Sequence, residues 1–99
     1  MSDLNLEIKS VALSDIEVIA DYISKDNVRA ARNLVSDFYE TINLLASQPN
    51  LGRARKDFTY MDVKFYVIKK NYLIVYKSDD KTLTILRVLT VHQDICAMF

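Results

Sequence analysis

The feature that most constrains the fold is an amphipathic segment from Val28 to Ser47. Its apolar residues recur at intervals of three and four, a spacing that places them on one face of an α-helix. They are Val28, Ala31, Leu34, Val35, Phe38, Ile42, Leu45 and Ala46. At about 1.5 Å per residue, such a helix spans about 30 Å, which is roughly the width of a small domain. The sequence therefore predicts a long helix that lies across a sheet or another helix.

A shorter helix is predicted directly before the long one. Ser14 and Glu17 have the spacing of an N-terminal capping box, and a helical period of apolar residues continues to about Ser24. These apolar residues are Ile16, Ile19, Ala20 and Ile23. The link of residues 25–27 is so short that the two helices must fold back as a hairpin, and its Asp or Asn can cap the long helix.

Strands are predicted on both sides of the helical hairpin. Leu4, Leu6 and Ile8 alternate with polar residues, as in a short strand with one buried face. Pro49 and Gly52 end the hairpin, since proline cannot continue a helix and glycine readily takes the positive φ of a turn. Beyond them, two polar interruptions divide a β-branched and aromatic region into three strands. These strands run about Val63 to Lys69, Tyr72 to Lys77 and Thr82 to Val91.

The order of these elements gives the predicted fold class. Connections as short as those between the last three strands permit only antiparallel neighbours. The chain is therefore predicted to be an α+β protein in the order β-α-α-β-β-β, with an N-terminal strand, a helical hairpin and a three-stranded antiparallel meander. Its 99 residues have the length of one domain around a single core, so residues 1–99 are expected to form one domain.

Composition excludes several classes of protein. A chain that is 51% hydrophobic and has one Gly and one Pro is neither low in complexity nor disordered. Cys96 is the single cysteine, which excludes an internal disulfide and a metal site built from several thiolates. Early acidic residues and the lack of a long apolar run predict a cytoplasmic protein without a signal peptide or a membrane span.

The charges are distributed unevenly along the chain. The net charge is zero, but residues 1–52 carry four basic and eight acidic groups, whereas residues 53–99 carry nine basic and five acidic groups. The basic surplus of the second half favours contact with an acidic protein or a phosphate backbone, although ordinary solvated residues would give the same count.

Two groups of residues have side chains suited to chemistry. His92, the one histidine, and Asp94 form a candidate acid–base pair, but no nucleophile stands in a recognisable motif and further metal ligands are lacking. The alternative for His92 is a surface residue after the last strand. The second group combines cations with tyrosines and would suit metal-free RNA cleavage. Its members are Arg53, Arg55, Lys56, Lys64, Tyr66, Lys69, Lys70, Tyr72, Tyr76 and Arg87. On the simpler interpretation, the lysines form the wet face of a half-exposed sheet and the tyrosines pack at its rim.

Several short runs occur in an order and spacing typical of one toxin superfamily. They are Asp26-Asn27, Ala30-Ala31-Arg32, Leu44-Leu45-Ala46, Pro49-Asn50-Leu51-Gly52-Arg53, Tyr72-Leu73-Ile74-Val75-Tyr76 and Ile85-Leu86-Arg87-Val88-Leu89. Together they cover nearly the whole chain and resemble the ParE branch of the RelE/ParE superfamily. The element order derived above agrees with the fold that this resemblance implies.

The resemblance implies a toxin of a type II toxin–antitoxin system, a class linked to plasmid stabilisation and growth arrest. A ParD-like or similar antitoxin would neutralise it by laying a segment over its surface in a hetero-oligomer. ParE-like members block DNA gyrase by binding it, whereas RelE-like relatives cut mRNA on the ribosome. The resemblance implies no cofactor, no metal and no sequence-specific contact with nucleic acid.

One strand position favours the ParE branch. RelE-like nucleases tend to have Arg after the Tyr of the penultimate strand, whereas this chain has Leu73 after Tyr72, as ParE-like members commonly do. The family often has His directly after the Val-Leu of the last strand, where this chain has Thr90, with His92 two residues later. The resemblance thus favours a non-enzymatic gyrase inhibitor over a ribosome-dependent mRNA endoribonuclease. A degenerate member that binds antitoxin without toxicity is a third alternative.

Each alternative has its own candidate residues. Binding to gyrase is assigned to Arg53, Arg55, Lys56 and His92. The nuclease alternative uses Lys69, Lys70, Arg87 and His92. Binding to the antitoxin is assigned to Leu34, Phe38 and Tyr39, where the apolar face of the long helix is expected to meet solvent.

Overall fold

The computed structural model describes residues 4–57 and 59–91 and confirms the predicted order of elements. The helices are α1 (Ser10–Ser24) and α2 (Val28–Ser47). The strands are β1 (Asn5–Ile8), β2 (Lys64–Ile68), β3 (Tyr72–Ser78) and β4 (Thr82–Thr90). The protein is therefore an α+β fold in which a helical hairpin separates β1 from the β2–β3–β4 meander.

All four strands belong to one sheet in the order β1-β4-β3-β2. The meander is antiparallel, as predicted, with Phe65 opposite Val75 and Ile74 opposite Val88. β1 joins the other side of β4 in parallel, with Ile8 opposite Ile85 as the last pair. The helical hairpin supplies the long crossover connection that two parallel neighbours require.

Both helices pack on one face of the sheet. The helix-facing core joins Ile16 of α1 and Phe38 of α2 to Ile74 and Tyr76 of β3. The ring of Phe38 also meets that of Tyr72 edge-on, with ring centroids 5.5 Å apart. The predicted apolar stripe forms the inner face of α2, except that Val28 is exposed and Val35 is only partly buried. Its buried residues are Ala31, Leu34, Phe38, Ile42, Leu45 and Ala46.

The opposite face of the sheet is apolar as well. A second buried cluster lies there, made of Val63, Phe65, Leu73, Val75 and Leu89. Since Ile74 and Tyr76 face the helices, β3 is buried on both faces through most of its length. The interpretation of a half-exposed sheet with a wet lysine face is therefore wrong, because an unbroken apolar run in a strand signals burial on both sides.

α1 begins one turn earlier than predicted, at Ser10 instead of Ser14. Lys9 is the N-cap residue and provides no side-chain cap. Its backbone N–H instead donates to the carbonyl of Ile85 in β4 at 3.0 Å. The start of the helix is therefore set by the pairing of β1 with β4, and the capping-box spacing at Ser14 lies inside the helix.

The junction between the helices agrees with the sequence prediction. α1 ends at Ser24 and α2 begins at Val28. The side-chain oxygen of Asn27 accepts a hydrogen bond from the Ala30 N–H at 3.0 Å, which satisfies one of the free amides at the start of α2.

Candidate functional site

Arg87, a candidate nuclease residue, is bound to α1. Its Nε lies 2.7 Å from Oδ2 of Asp15 and its Nη2 lies 2.9 Å from Oδ1, so the two side chains form a bidentate ion pair. The hydrogen bond to Asp15 raises the pKa of Arg87. Oδ2 of Asp15 also accepts the Val88 N–H at 3.0 Å. Since β1 pairs with β4 only as far as Ile85, Asp15 occupies part of the β4 edge that β1 leaves uncovered.

Two further candidate nuclease residues form the turn between β2 and β3. Lys69 Nζ lies 2.6 Å from Oδ2 of Asp37 on α2. Lys70 is exposed. Both lysines have positive φ, 51° and 66°, a region that favours glycine because it crowds Cβ against the backbone. The fourth candidate, His92, lies outside the described residues.

The described residues do not bring Lys69 and Arg87 into one cleft. Lys69 is bound to α2, whereas Arg87 is bound to α1. Tyr72, which follows the turn, pairs with Thr90, so Arg87 lies three residues, or about 10 Å, further along the sheet. Each cation also has a carboxylate partner that a phosphate would have to replace.

Arg53, Arg55 and Lys56, three of the four predicted gyrase-binding residues, lie on the loop that follows α2, and the fourth, His92, lies outside the described residues. The backbone of Arg53 pairs with Phe65 of β2, with N···O distances of 3.0 and 2.8 Å. Its side chain is exposed, as is that of Lys56, whereas Arg55 is half-buried. Arg55 Nη2 lies 2.7 Å from Oδ2 of Asp57. This hydrogen-bonded ion pair raises the pKa of Arg55 and lowers that of Asp57.

A buried tyrosine anchors this loop to the sheet. The Tyr76 hydroxyl donates to the Pro49 carbonyl at 2.7 Å and accepts the Gly52 N–H at 2.8 Å. Burial raises the pKa of Tyr76, and the hydrogen bond from Gly52 opposes that rise. Lys64 Nζ donates to the side-chain oxygen of Asn50 at 2.9 Å. The loop is thereby held at both its backbone and its side chains.

Gly52 is required by the close approach of Tyr76. The prediction that it supplies a positive φ is wrong, because it does not adopt one. A Cβ atom at residue 52 would lie 2.6 Å from Cε1 of Tyr76 and closer still to the hydroxyl oxygen. The Pro-Asn-Leu-Gly-Arg run therefore has a structural role. It holds the basic loop, the segment that carries Arg53, Arg55 and Lys56, against the sheet. The signal in the sequence is the tyrosine itself, because a buried hydroxyl needs a partner.

The residues predicted to bind antitoxin are mostly inside the protein. Leu34 is 5% exposed and Phe38 is fully buried in the helix-facing core. The expectation that they straddle the boundary with solvent is therefore wrong, because α2 turns both side chains toward the sheet. Tyr39 is 38% exposed and is the one of the three that offers substantial surface.

An apolar surface larger than that of Tyr39 alone lies along α1. It forms a groove of about 540 Å³ against the start of β3 and the end of β4. Val18 and Tyr22 line it and are 64% and 74% exposed. The sequence signal, which the predictions did not use, is a second apolar stripe on α1. Val11, Val18 and Tyr22 recur at intervals of seven and four, beside the core-facing stripe.

Two kinds of feature are missing from the part of the chain that the structure describes. Residues 4–57 and 59–91 contain no group of three or more His, Cys, Asp or Glu side chains that could hold a metal ion. Neither α1 nor α2 is long and apolar enough to span a membrane.

The parallel β1–β4 pair, the helical hairpin and the antiparallel meander together form a ParE-like toxin fold. Over residues 6–95, the sequence matches the family model described as "ParE toxin of type II toxin-antitoxin system, parDE", and the chain belongs to this family. A solved structure described as "Chromosomal ParDE TA system from P. aeruginosa" is similar in fold, with a TM-score of 0.74 and 22% identity. The match covers 90% of this chain and 97% of that one. A comparison with curated proteins finds no significant match.

Proposed function

We propose that the protein is a toxin that binds DNA gyrase and blocks supercoiling, and that a cognate antitoxin neutralises it. The family match over residues 6–95 carries this proposal. A fold shared with a solved structure described as a ParDE system supports the antitoxin part. The site of action would be the cytoplasm, where gyrase works.

We propose further that inhibition involves binding without cutting. Lys69 and Arg87 both have carboxylate partners on the helices, which disfavours their use against a phosphate. Leu73, at the position where RelE-like nucleases tend to have Arg, is 2% exposed and belongs to the second core cluster. The arrangement supports a surface that contacts a protein target.

The basic loop is the proposed contact with gyrase. Arg53 and Lys56 are exposed, and the Tyr76 anchor holds the loop in place before any partner binds. A preformed loop loses less conformational freedom on binding than a mobile one, which favours affinity. Its positive charge would also speed the encounter with an acidic surface on gyrase.

The test is a supercoiling assay with purified gyrase and the purified protein. We expect supercoiling to be lost, and we expect the double variant Arg53→Glu/Lys56→Glu to inhibit at least about tenfold less, since reversed charges repel an acidic target. Lys77→Glu/Lys81→Glu is the matched control on the exposed end of the β3–β4 hairpin. Unchanged supercoiling at large molar excess of the wild-type protein would contradict the proposal.

The nuclease and degenerate alternatives give different outcomes. Primer extension on messages translated in the presence of the protein would reveal cuts within codons, and such cuts, abolished by Lys70→Ala, would contradict binding without cleavage. Induction of the toxin without its antitoxin should arrest growth. Continued growth with the folded protein present would favour a degenerate member.

The α1 groove is the proposed antitoxin site, together with Tyr39. An apolar segment of the antitoxin would cover Val18 and Tyr22, which are unusually exposed for large apolar residues. Val18→Asp should abolish copurification with the antitoxin. Leu13→Asp is the matched control, because Leu13 is 39% exposed on a different side of the same helix. Equal loss of binding in both variants would count against the groove.

A further inference from the structure

β2 is one of the two edge strands of the sheet, and one position of its edge is open among the residues that the structure describes. Because the backbone of Phe65 pairs with Arg53, the N–H and C=O of Phe65 point away from β3. Strand alternation directs the N–H and C=O of Val67 the same way. Within residues 4–57 and 59–91, nothing pairs with Val67 on that side. The Val67 side chain is 49% exposed.

The lysines that would normally protect such an edge are held elsewhere. Sheet edges are commonly shielded by lysine side chains, which keep other strands away. Lys64 Nζ is bound to Asn50, and Lys69 Nζ is bound to Asp37 on α2. Neither ammonium group is therefore free to cover the Val67 backbone.

The same edge is rich in positive charge and exposed apolar groups. Residues 53–70 carry six basic and two acidic side chains. Arg53 lies beside β2 and Lys70 lies two residues beyond its end, and both are exposed. Tyr60 and Met61, shortly before β2, are 88% and 53% exposed. Tyrosine, methionine and arginine are enriched at protein interfaces, whereas lysine and acidic residues are depleted there.

We propose that the β2 edge binds an extended acidic segment of a partner polypeptide, which pairs with Val67 and places carboxylates near Arg53 and Lys70. Backbone pairing would supply affinity, and the alternating side chains would supply specificity. Pairing with a second copy would bring two positively charged edges together, which is unfavourable. The inference concerns the chemistry of the ligand and does not depend on gyrase being the target.

The test uses a labelled octapeptide of alternating glutamate and valine, titrated with the full-length protein and followed by fluorescence anisotropy. Two control peptides replace every glutamate by lysine or carry N-methyl groups on alternate amides, which prevents strand pairing. We expect the acidic peptide to bind at low salt, and both controls and added salt to weaken binding by about tenfold or more.

Protein variants test the two halves of the proposed contact. Val67→Pro removes the open donor without removing a β2–β3 hydrogen bond, and Val67→Thr is its matched control. Arg53→Glu reverses one flanking charge. Its control is Lys81→Glu, which reverses a charge on the distant β3–β4 hairpin. We expect about tenfold weaker binding for Val67→Pro and Arg53→Glu, and changes below about twofold for the two controls. If Val67→Pro fails to fold by circular dichroism, the N-methylated peptide decides the pairing question.

Three results would overturn the proposal. The first is a lysine peptide that binds as tightly as the acidic one, and the second is N-methylation that leaves binding unchanged. Self-association of the wild-type protein that is lost in Val67→Pro would assign the edge to a second copy of the chain. Failure of the peptide assay leaves gyrase inhibition untouched, because the supercoiling assay measures that separately.

Discussion

Asp15 and Arg87 lie 72 residues apart in the sequence and form a bidentate ion pair, with N···O distances of 2.7 and 2.9 Å. The same carboxylate accepts the Val88 N–H, so it satisfies both a side chain and the strand edge. This contact joins α1 to β4 beyond the point where β1 stops pairing. A residue that resembled a phosphate-binding cation is thus part of the structural connection between helix and sheet.

Loss of this ion pair should destabilise the fold. Arg87→Ala leaves the Asp15 carboxylate, 16% exposed, without its guanidinium partner, and we expect the free energy of unfolding to fall by about 1–3 kcal/mol. Urea denaturation measures it. Arg55→Ala is the matched control, because it breaks the exposed and local pair with Asp57 and should cost clearly less stability. Equal losses in the two variants would contradict a special role for Asp15.

The contact between Tyr76 and the loop should be as sensitive to volume as to hydrogen bonding. Gly52→Ala adds a Cβ that overlaps the Tyr76 ring, so we expect a loss of about 1–3 kcal/mol. Tyr76→Phe removes two hydrogen bonds. It leaves the Gly52 N–H unpaired and the Pro49 carbonyl with only a 3.5 Å contact from Lys64 Nζ, at a cost of about 1–3 kcal/mol. Tyr66→Phe is the control for losing a hydroxyl. Thermal unfolding measures the three variants. Melting temperatures of Gly52→Ala and Tyr76→Phe equal to that of the wild-type protein would refute the anchor.

Stability should also fall at alkaline pH through Tyr76. Burial raises the pKa of its hydroxyl above the usual value of about 10, so the folded protein favours the neutral phenol. The resulting stability is complete below about pH 10 and is lost as pH rises through the folded-state pKa. The melting temperature of the wild-type protein should therefore fall more steeply above pH 10 than that of Tyr76→Phe. Parallel curves for the two proteins would contradict this.

A glycine in the β2–β3 turn should stabilise the protein. Lys70 has a φ of 66°, which glycine adopts without the crowding that a Cβ causes, so Lys70→Gly should raise the free energy of unfolding by about 1 kcal/mol. Lys70→Ala keeps the Cβ and separates the effect of the charge. Lys81→Gly, at a turn residue without positive φ, should destabilise by about 0.5–1 kcal/mol. If Lys70→Ala also stabilised the protein, the gain would come from removing the charge and not from relieving backbone strain.

Local patterns in the sequence predicted most of the fold. The three-and-four spacing of α2 identified its inner face, and Asn27 marked its start. The short connections of the meander required antiparallel strands, as observed. These features depend on neighbours within a few residues, which the sequence displays directly. The start of α1 was misplaced because a hydrogen bond from Lys9 to the distant Ile85 sets it.

By itself, then, the sequence determined the helical hairpin and the meander, because periodicity and short-range spacing encode them. The resemblance to ParE toxins came separately, from short runs that match that family. Only the tertiary structure decided the roles of the individual side chains. It paired Arg87 with Asp15 and Lys69 with Asp37, and it placed Gly52 against Tyr76. The physical reason is that a charge or a hydroxyl acquires its role from the atoms within about 3 Å of it, and folding brings those atoms from distant parts of the chain.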